Sequence, residues 1–95
     1  MRLHRRSRSS RLNPEEAFAQ ALRRAREKRK MSQELLGFES GYHRTYISLL
    51  ERGKMNPSLR TVLSLAAALN TPAAQLVGDV EQLLGSPWRR ESPQP

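Results

Sequence analysis

Helix start and stop signals punctuate this chain so often that only short helices, packed against one another, can satisfy them. Asn13 followed by Pro14, Glu15 and Glu16 is a helix start: a capping side chain, a proline at the first helical position, and two carboxylates at the positive end of the dipole. Phe18, Ala21, Leu22 and Ala25 then form one apolar stripe, while Arg23, Arg24, Lys28, Arg29 and Lys30 crowd toward the C-terminal end and Met31 closes the helix onto the core. Ser32 caps a second helix that runs to about Ser40, and Gly41 supplies the left-handed residue that ends it. A third helix, Arg44 to Arg52, turns Ile47 and Leu50 inward with Tyr46 beside them and stops at Gly53.

Lys54 to Pro57 reads as a loop, after which Ser58 caps a fourth helix with Leu59, Val62, Leu65, Ala66 and Leu69 on one side and Asn70 at its end. Thr71 and Pro72 are expected to be N-cap and first-turn proline of a fifth, carrying Leu76, Val77, Val80, Leu83 and Leu84. Gly78 is expected to interrupt that helix, since glycine inside a helix costs about 1 kcal/mol relative to alanine. No segment alternates with the period of a half-buried strand, so the fold class is all-α with five helices.

Residues 1–13 contain no acid and little that is apolar, which predicts a disordered basic arm. The same composition suits a plain solvated tail, an organellar transit peptide, or an arm that adds phosphate contacts. Residues 85–95, rich in proline and serine, read as a second tail, leaving 14–84 as the folded domain. Neither tail is long enough for a ligand-sensing domain.

A domain of this size has a marginal core, and the chain has no cysteine for a disulfide or a thiolate-bound metal. Well-packed helices or a partner subunit must supply the stability. No apolar run approaches the ~20 residues of a membrane span, so a cytoplasmic protein is expected. Lys and Arg number 17 against 9 Asp and Glu, a net charge of +8 that favours a polyanionic partner. Arg2, Arg5, Arg6, Arg8 and Arg11 all lie in the arm, so the excess is concentrated there.

Residues 31–53, MSQELLGFESGYHRTYISLLERG, resemble the helix-turn-helix of the Cro and phage-repressor (XRE) family, and the likeness continues through NPSLRTVLSLAAALN. Ser32 and Gln33 open the first motif helix, Leu36 packs beneath, Gly41 makes the turn, and Ile47 and Leu50 anchor the second. Glu51 and Gly53 match the family at the end of that helix, Pro57 and Ser58 match at the start of the next, and the resemblance covers roughly residues 18–77. It implies a lambda-repressor-like DNA-binding domain with its motif at 32–52 and a last helix at about 72–84.

An α-helix fits the major groove, where each base pair presents a distinct pattern of donors, acceptors and methyl groups. By resemblance, the outward positions of the reading helix are His43, Arg44, Thr45 and Ser48, with Leu49 at the far edge. The Arg44 guanidinium can donate to guanine O6 and N7, or else to a phosphate; Thr45 offers a methyl group and a hydroxyl. His43 stands where the family usually has Ser or Thr, a departure that weakens the expected cap and leaves the imidazole's role open. Tyr46 either packs against the turn or stacks on nucleic acid. Gln33, Lys54, Asn56 and Arg60 are the phosphate candidates. Arg26 and Glu51 match a family ion pair between the first and third helices, and Leu76, Val80, Leu83 and Leu84 a seam through which family members commonly pair, although a core role explains Leu76 as well.

The resemblance therefore implies a transcription regulator that binds double-stranded DNA as a homodimer on palindromic sites. The rival class is a protein-binding module, such as an antitoxin-like subunit that neutralises a second protein. RNA binding lacks the aromatic platform it needs, with Phe18, Phe38, Tyr42, Tyr46 and Trp88 the whole supply. No phosphate-cradling glycine loop, metal-ligand spacing or nucleophile with a base points to an enzyme, a metal or a cofactor.

Overall fold

The computed structural model describes residues 12–85 and Trp88. Most of the arm and of the C-terminal tail lie outside the described residues. Five helices occur in order: α1 Pro14–Lys28, α2 Gln33–Ser40, α3 Arg44–Glu51, α4 Leu59–Ala68 and α5 Ala73–Leu84. No strand occurs among the described residues.

The start of α1 is a full capping box. Asn13 Oδ1 accepts from the Glu16 amide at 2.8 Å and Glu16 Oε1 accepts from the Asn13 amide at 3.0 Å, with Pro14 in the first turn. Ser32 and Ser58 cap α2 and α4 as expected, each through its hydroxyl. Beyond the ends of α2 and α3, Gly41 and Gly53 adopt positive φ, as the sequence predicts. Lys30 and Asn70 do so as well, at φ 57° and 53°. Each sits just past a helix end where the following amide bonds back to the last turn: Met31 to Arg26, Thr71 to Ala66.

One core joins all five helices. Phe18, Leu22, Leu36, Ile47, Leu50, Val62, Leu65, Leu69 and Leu76 are buried together, with Ala25, Met31, Tyr42, Tyr46, Val80 and Leu83 packed around them. Each fully enclosed leucine or isoleucine contributes about 1.5–3 kcal/mol by leaving water. The helix α1 lies against α3 and α5, α2 against α3 and α4, and α4 against α5.

Four expectations change. Leu59 is 73% exposed and does not join the core stripe of α4; it falls in line with Leu63 and Ala67 at i, i+4 and i+8 on a shallow outer groove. Thr71 does not cap α5. Its hydroxyl donates back to the Leu69 carbonyl at 3.1 Å, and the extended residue Pro72 precedes the helix without a side-chain cap. Gly78 does not break α5, because Leu76, Val80 and Leu83 on either side are held by the core, which outweighs the glycine cost. Leu76 is fully buried and has no surface to give a partner, while Val80 and Leu83 are only partly free.

Candidate nucleic-acid interface

The reading helix is aimed by the turn that precedes it. Gly41 at φ 84° ends α2, and the Tyr42 amide reaches back to the Gly37 carbonyl at 2.8 Å. Gly37 itself permits this closeness: a Cβ there would stand 2.5 Å from the Tyr42 carbonyl oxygen. Sequence reasoning overlooked Gly37, whose only signal was a glycine in the interior of a short helix. Tyr42 then ties the turn to α4. Its hydroxyl donates to Thr61 Oγ1 at 3.0 Å, and Ser58 donates to the same oxygen at 3.1 Å, so the buried Thr61 hydroxyl is satisfied. The Tyr42 and Tyr46 rings lie 5.2 Å apart, tilted by 42°, which places Tyr46 against the turn as a packing residue.

His43 caps α3. Its Nδ1 accepts from the Thr45 amide at 3.1 Å, so the imidazole, whose role the sequence left open, serves as the cap in place of a serine or threonine hydroxyl. With Ile47 and Leu50 wholly buried, α3 leaves Arg44 and Thr45 exposed and Ser48 and Leu49 partly so. The predicted outward residues thus share one face at the N-terminal end of one helix.

The far end of α3 is clamped. Arg26 Nε donates to Glu51 Oε2 at 2.6 Å and Nη2 to Oε1 at 2.9 Å, a bidentate pair between α1 and α3. Arg26 also donates to the Met31 carbonyl at 2.8 Å. The pair is enclosed, with side-chain exposures of 13% for Arg26 and 3% for Glu51. The hydrogen bond to Glu51 raises the Arg26 pKa above its ordinary value, against the opposing effect of burial, which holds the guanidinium in its charged form. Gln33 joins the network, its amide donating to Glu51 Oε1 at 3.0 Å. The residue at the start of α2 is therefore braced against the end of α3.

Lys54 and Asn56 are exposed in the loop after α3, and the Lys54 amide bonds to the Leu49 carbonyl at 3.0 Å, which fixes where that loop leaves the helix. Arg60 lines the outer groove of α4 beside Leu59 and Leu63, and no hydrogen bond among the described residues links it to the α2–α3 unit. No cluster of metal-ligating side chains occurs among the described residues, and none of their helices is long and apolar enough to cross a membrane.

Comparison with known proteins converges on this unit. The helix-turn-helix family model matches residues 22–76, from the middle of α1 to the buried leucine of α5. The control protein C.SmaI of Serratia marcescens is 44% identical over 62 residues, covering 65% of this chain and 74% of the relative. The control protein C.BamHI of Bacillus amyloliquefaciens is 42% identical over 71 residues, covering 68% and 88%. Among solved structures, the restriction-modification controller protein C.AhdI from Aeromonas hydrophila superposes with a TM-score of 0.64 at 42% identity, over 65% of this chain and 94% of that one.

Proposed function

Since this chain belongs to the helix-turn-helix family, matching it across residues 22–76, we propose that it is a sequence-specific regulator of transcription that binds double-stranded DNA. The observation that carries this reading is the geometry of α3: buried Ile47 and Leu50 fix it to the core, and Arg44, Thr45 and Ser48 lie on its outer face at the end that enters a major groove. Arg44, Thr45, Ser48 and His43 contact base edges. Gln33, Lys54, Asn56 and, more remotely, Arg60 take phosphates. The likeness to restriction-modification control proteins supports a regulator of that kind. The protein acts by binding and not by catalysis, in the cytoplasm and on the nucleoid.

A homodimer on a palindromic site completes the reading, with two reading helices about 34 Å apart. Leu76 is spent in the core, so the seam draws on Leu84 and the free edges of Val80 and Leu83, or on the exposed ridge of Leu59 and Leu63. A protein-binding role is the second reading, favoured by Phe38, which is 81% exposed on α2.

Selection of bound duplexes from a random pool, against excess competitor DNA at near-physiological salt, tests the proposal. A short enriched palindrome is the expected result. No enrichment together with co-purification of a second protein would favour the second reading.

A further inference from the structure

The helix that reads DNA is the only described one capped by an aromatic ring: Asn13, Ser32 and Ser58 serve α1, α2 and α4, and α5 has no side-chain cap. A serine hydroxyl that caps a helix still carries both a proton to donate and a spare lone pair. An imidazole does not. Nδ1 of His43 accepts from the Thr45 amide at 3.1 Å, so in the neutral ring Nδ1 bears no proton and Nε2 must carry it. The residue is exposed, and Nε2 has no hydrogen-bond partner among the described residues. It stands at the far edge of the ring from Thr45, immediately before Arg44 on the outer face of α3.

We propose that the cap locks His43 in the Nε2–H form, making it a donor-only contact at the tip of the reading helix that selects a hydrogen-bond acceptor on DNA. The proposal rests on the DNA-binding reading above. It assigns His43 two coupled tasks, one for each nitrogen: Nδ1 sets the first turn of α3, and Nε2–H meets an acceptor. Such acceptors are a phosphate oxygen or the major-groove edge of guanine, adenine N7 or thymine O4. A base that presents an amino group at this position, as cytosine does, meets a donor facing a donor and is disfavoured.

The two nitrogens can be separated by substitution. In His43→Asn the side-chain oxygen keeps the cap at the position of Nδ1, and asparagine is among the best capping residues, but nothing reaches where Nε2 stood. In His43→Gln an amide N–H reaches as far as Nε2 while the cap is lost. Long-range proton–nitrogen NMR spectra of the free full-length protein above neutral pH read the tautomer directly. The expected result is a protonated Nε2 and a bare Nδ1, an unchanged melting temperature in His43→Asn with affinity for the selected duplex lowered about tenfold, and a lower melting temperature in His43→Gln with a smaller loss of affinity than in His43→Asn. Equal losses on selected and random duplexes in His43→Asn identify a phosphate as the acceptor, and a loss confined to the selected duplex identifies a base. A protonated Nδ1 in the free protein, or wild-type affinity in His43→Asn, overturns the proposal. Failure of the wild-type protein to select any duplex would instead overturn the DNA-binding reading, while the tautomer measurement would still stand by itself.

Discussion

Gln33, the first residue of α2, and Arg26 of α1 donate to the same Glu51 carboxylate at the end of α3, so one nearly buried acid fixes three helices relative to one another. The carboxylate accepts three hydrogen bonds, and its two partners lie 25 and 18 residues before it in the chain. Removing Arg26 leaves this anion enclosed without a countercharge. Arg26→Ala should cost about 3–5 kcal/mol, read by chemical denaturation, whereas Arg26→Met combined with Glu51→Leu should recover most of that loss. A single variant as unstable as the double one would show that the pair is not coupled.

Gly37→Ala should fail for a different reason. Its Cβ would lie 2.5 Å from the Tyr42 carbonyl oxygen, an atom of the backbone that cannot rotate aside. The turn must open, at a cost of about 1–3 kcal/mol, and α3 must tilt. DNA affinity should fall further than the loss of stability explains, as measured on a selected duplex at a temperature where the variant is fully folded.

Arg44 and Lys54 are predicted to differ in kind. Arg44→Ala should cost about 1–3 kcal/mol on the selected site and little on random DNA, relaxing preference at one base pair. Lys54→Ala should weaken binding to every duplex and reduce the salt slope by about one. Titration of both duplexes over a range of salt concentrations distinguishes the two, and equal losses for Arg44→Ala would make it a phosphate contact.

The left-handed residue at Lys30 carries a strain that a glycine would relieve. Lys30→Gly should stabilise the fold by up to about 1 kcal/mol, because φ near 57° is unfavourable for a side chain bearing a Cβ and the position is exposed. A rise of a few degrees in melting temperature would check it. A fall would mean that the added freedom of the unfolded chain outweighs the relief.

Pairing of copies can be traced to one of two surfaces. Leu63→Glu on the outer groove of α4 and Leu84→Glu on α5 both place a charge on exposed or half-exposed apolar surface without touching the core. The variant that shifts sedimentation from dimer to monomer marks the seam. If the wild-type protein sediments as a dimer and neither variant alters it, both surfaces are excluded as the seam; a monomeric wild-type protein would overturn the homodimer itself.

Much of this protein is legible in one dimension. Asn13, Ser32, Ser58, Gly41 and Gly53 act within a turn of where they stand, so their side chains and φ angles set the helix ends without help from elsewhere. The apolar spacing of α1 and α3 likewise names Phe18, Leu22, Ile47 and Leu50 as core, while the outward residues of α3 came from the resemblance to the Cro and phage-repressor family. Contact between distant segments settled the choices that the chain alone could not. Whether Leu59 faces in or out depends on where α4 lies against its neighbours. Gly78 stays helical because core contacts on both sides outweigh a local preference, and Leu76 belongs to the core because α5 packs on α1 and α4. The tightness at Gly37 and the sharing of Glu51 arise only when residues separated in sequence are brought within hydrogen-bond distance. Local rules act over a few bonds and are written in the sequence, whereas burial and close approach belong to the packed whole.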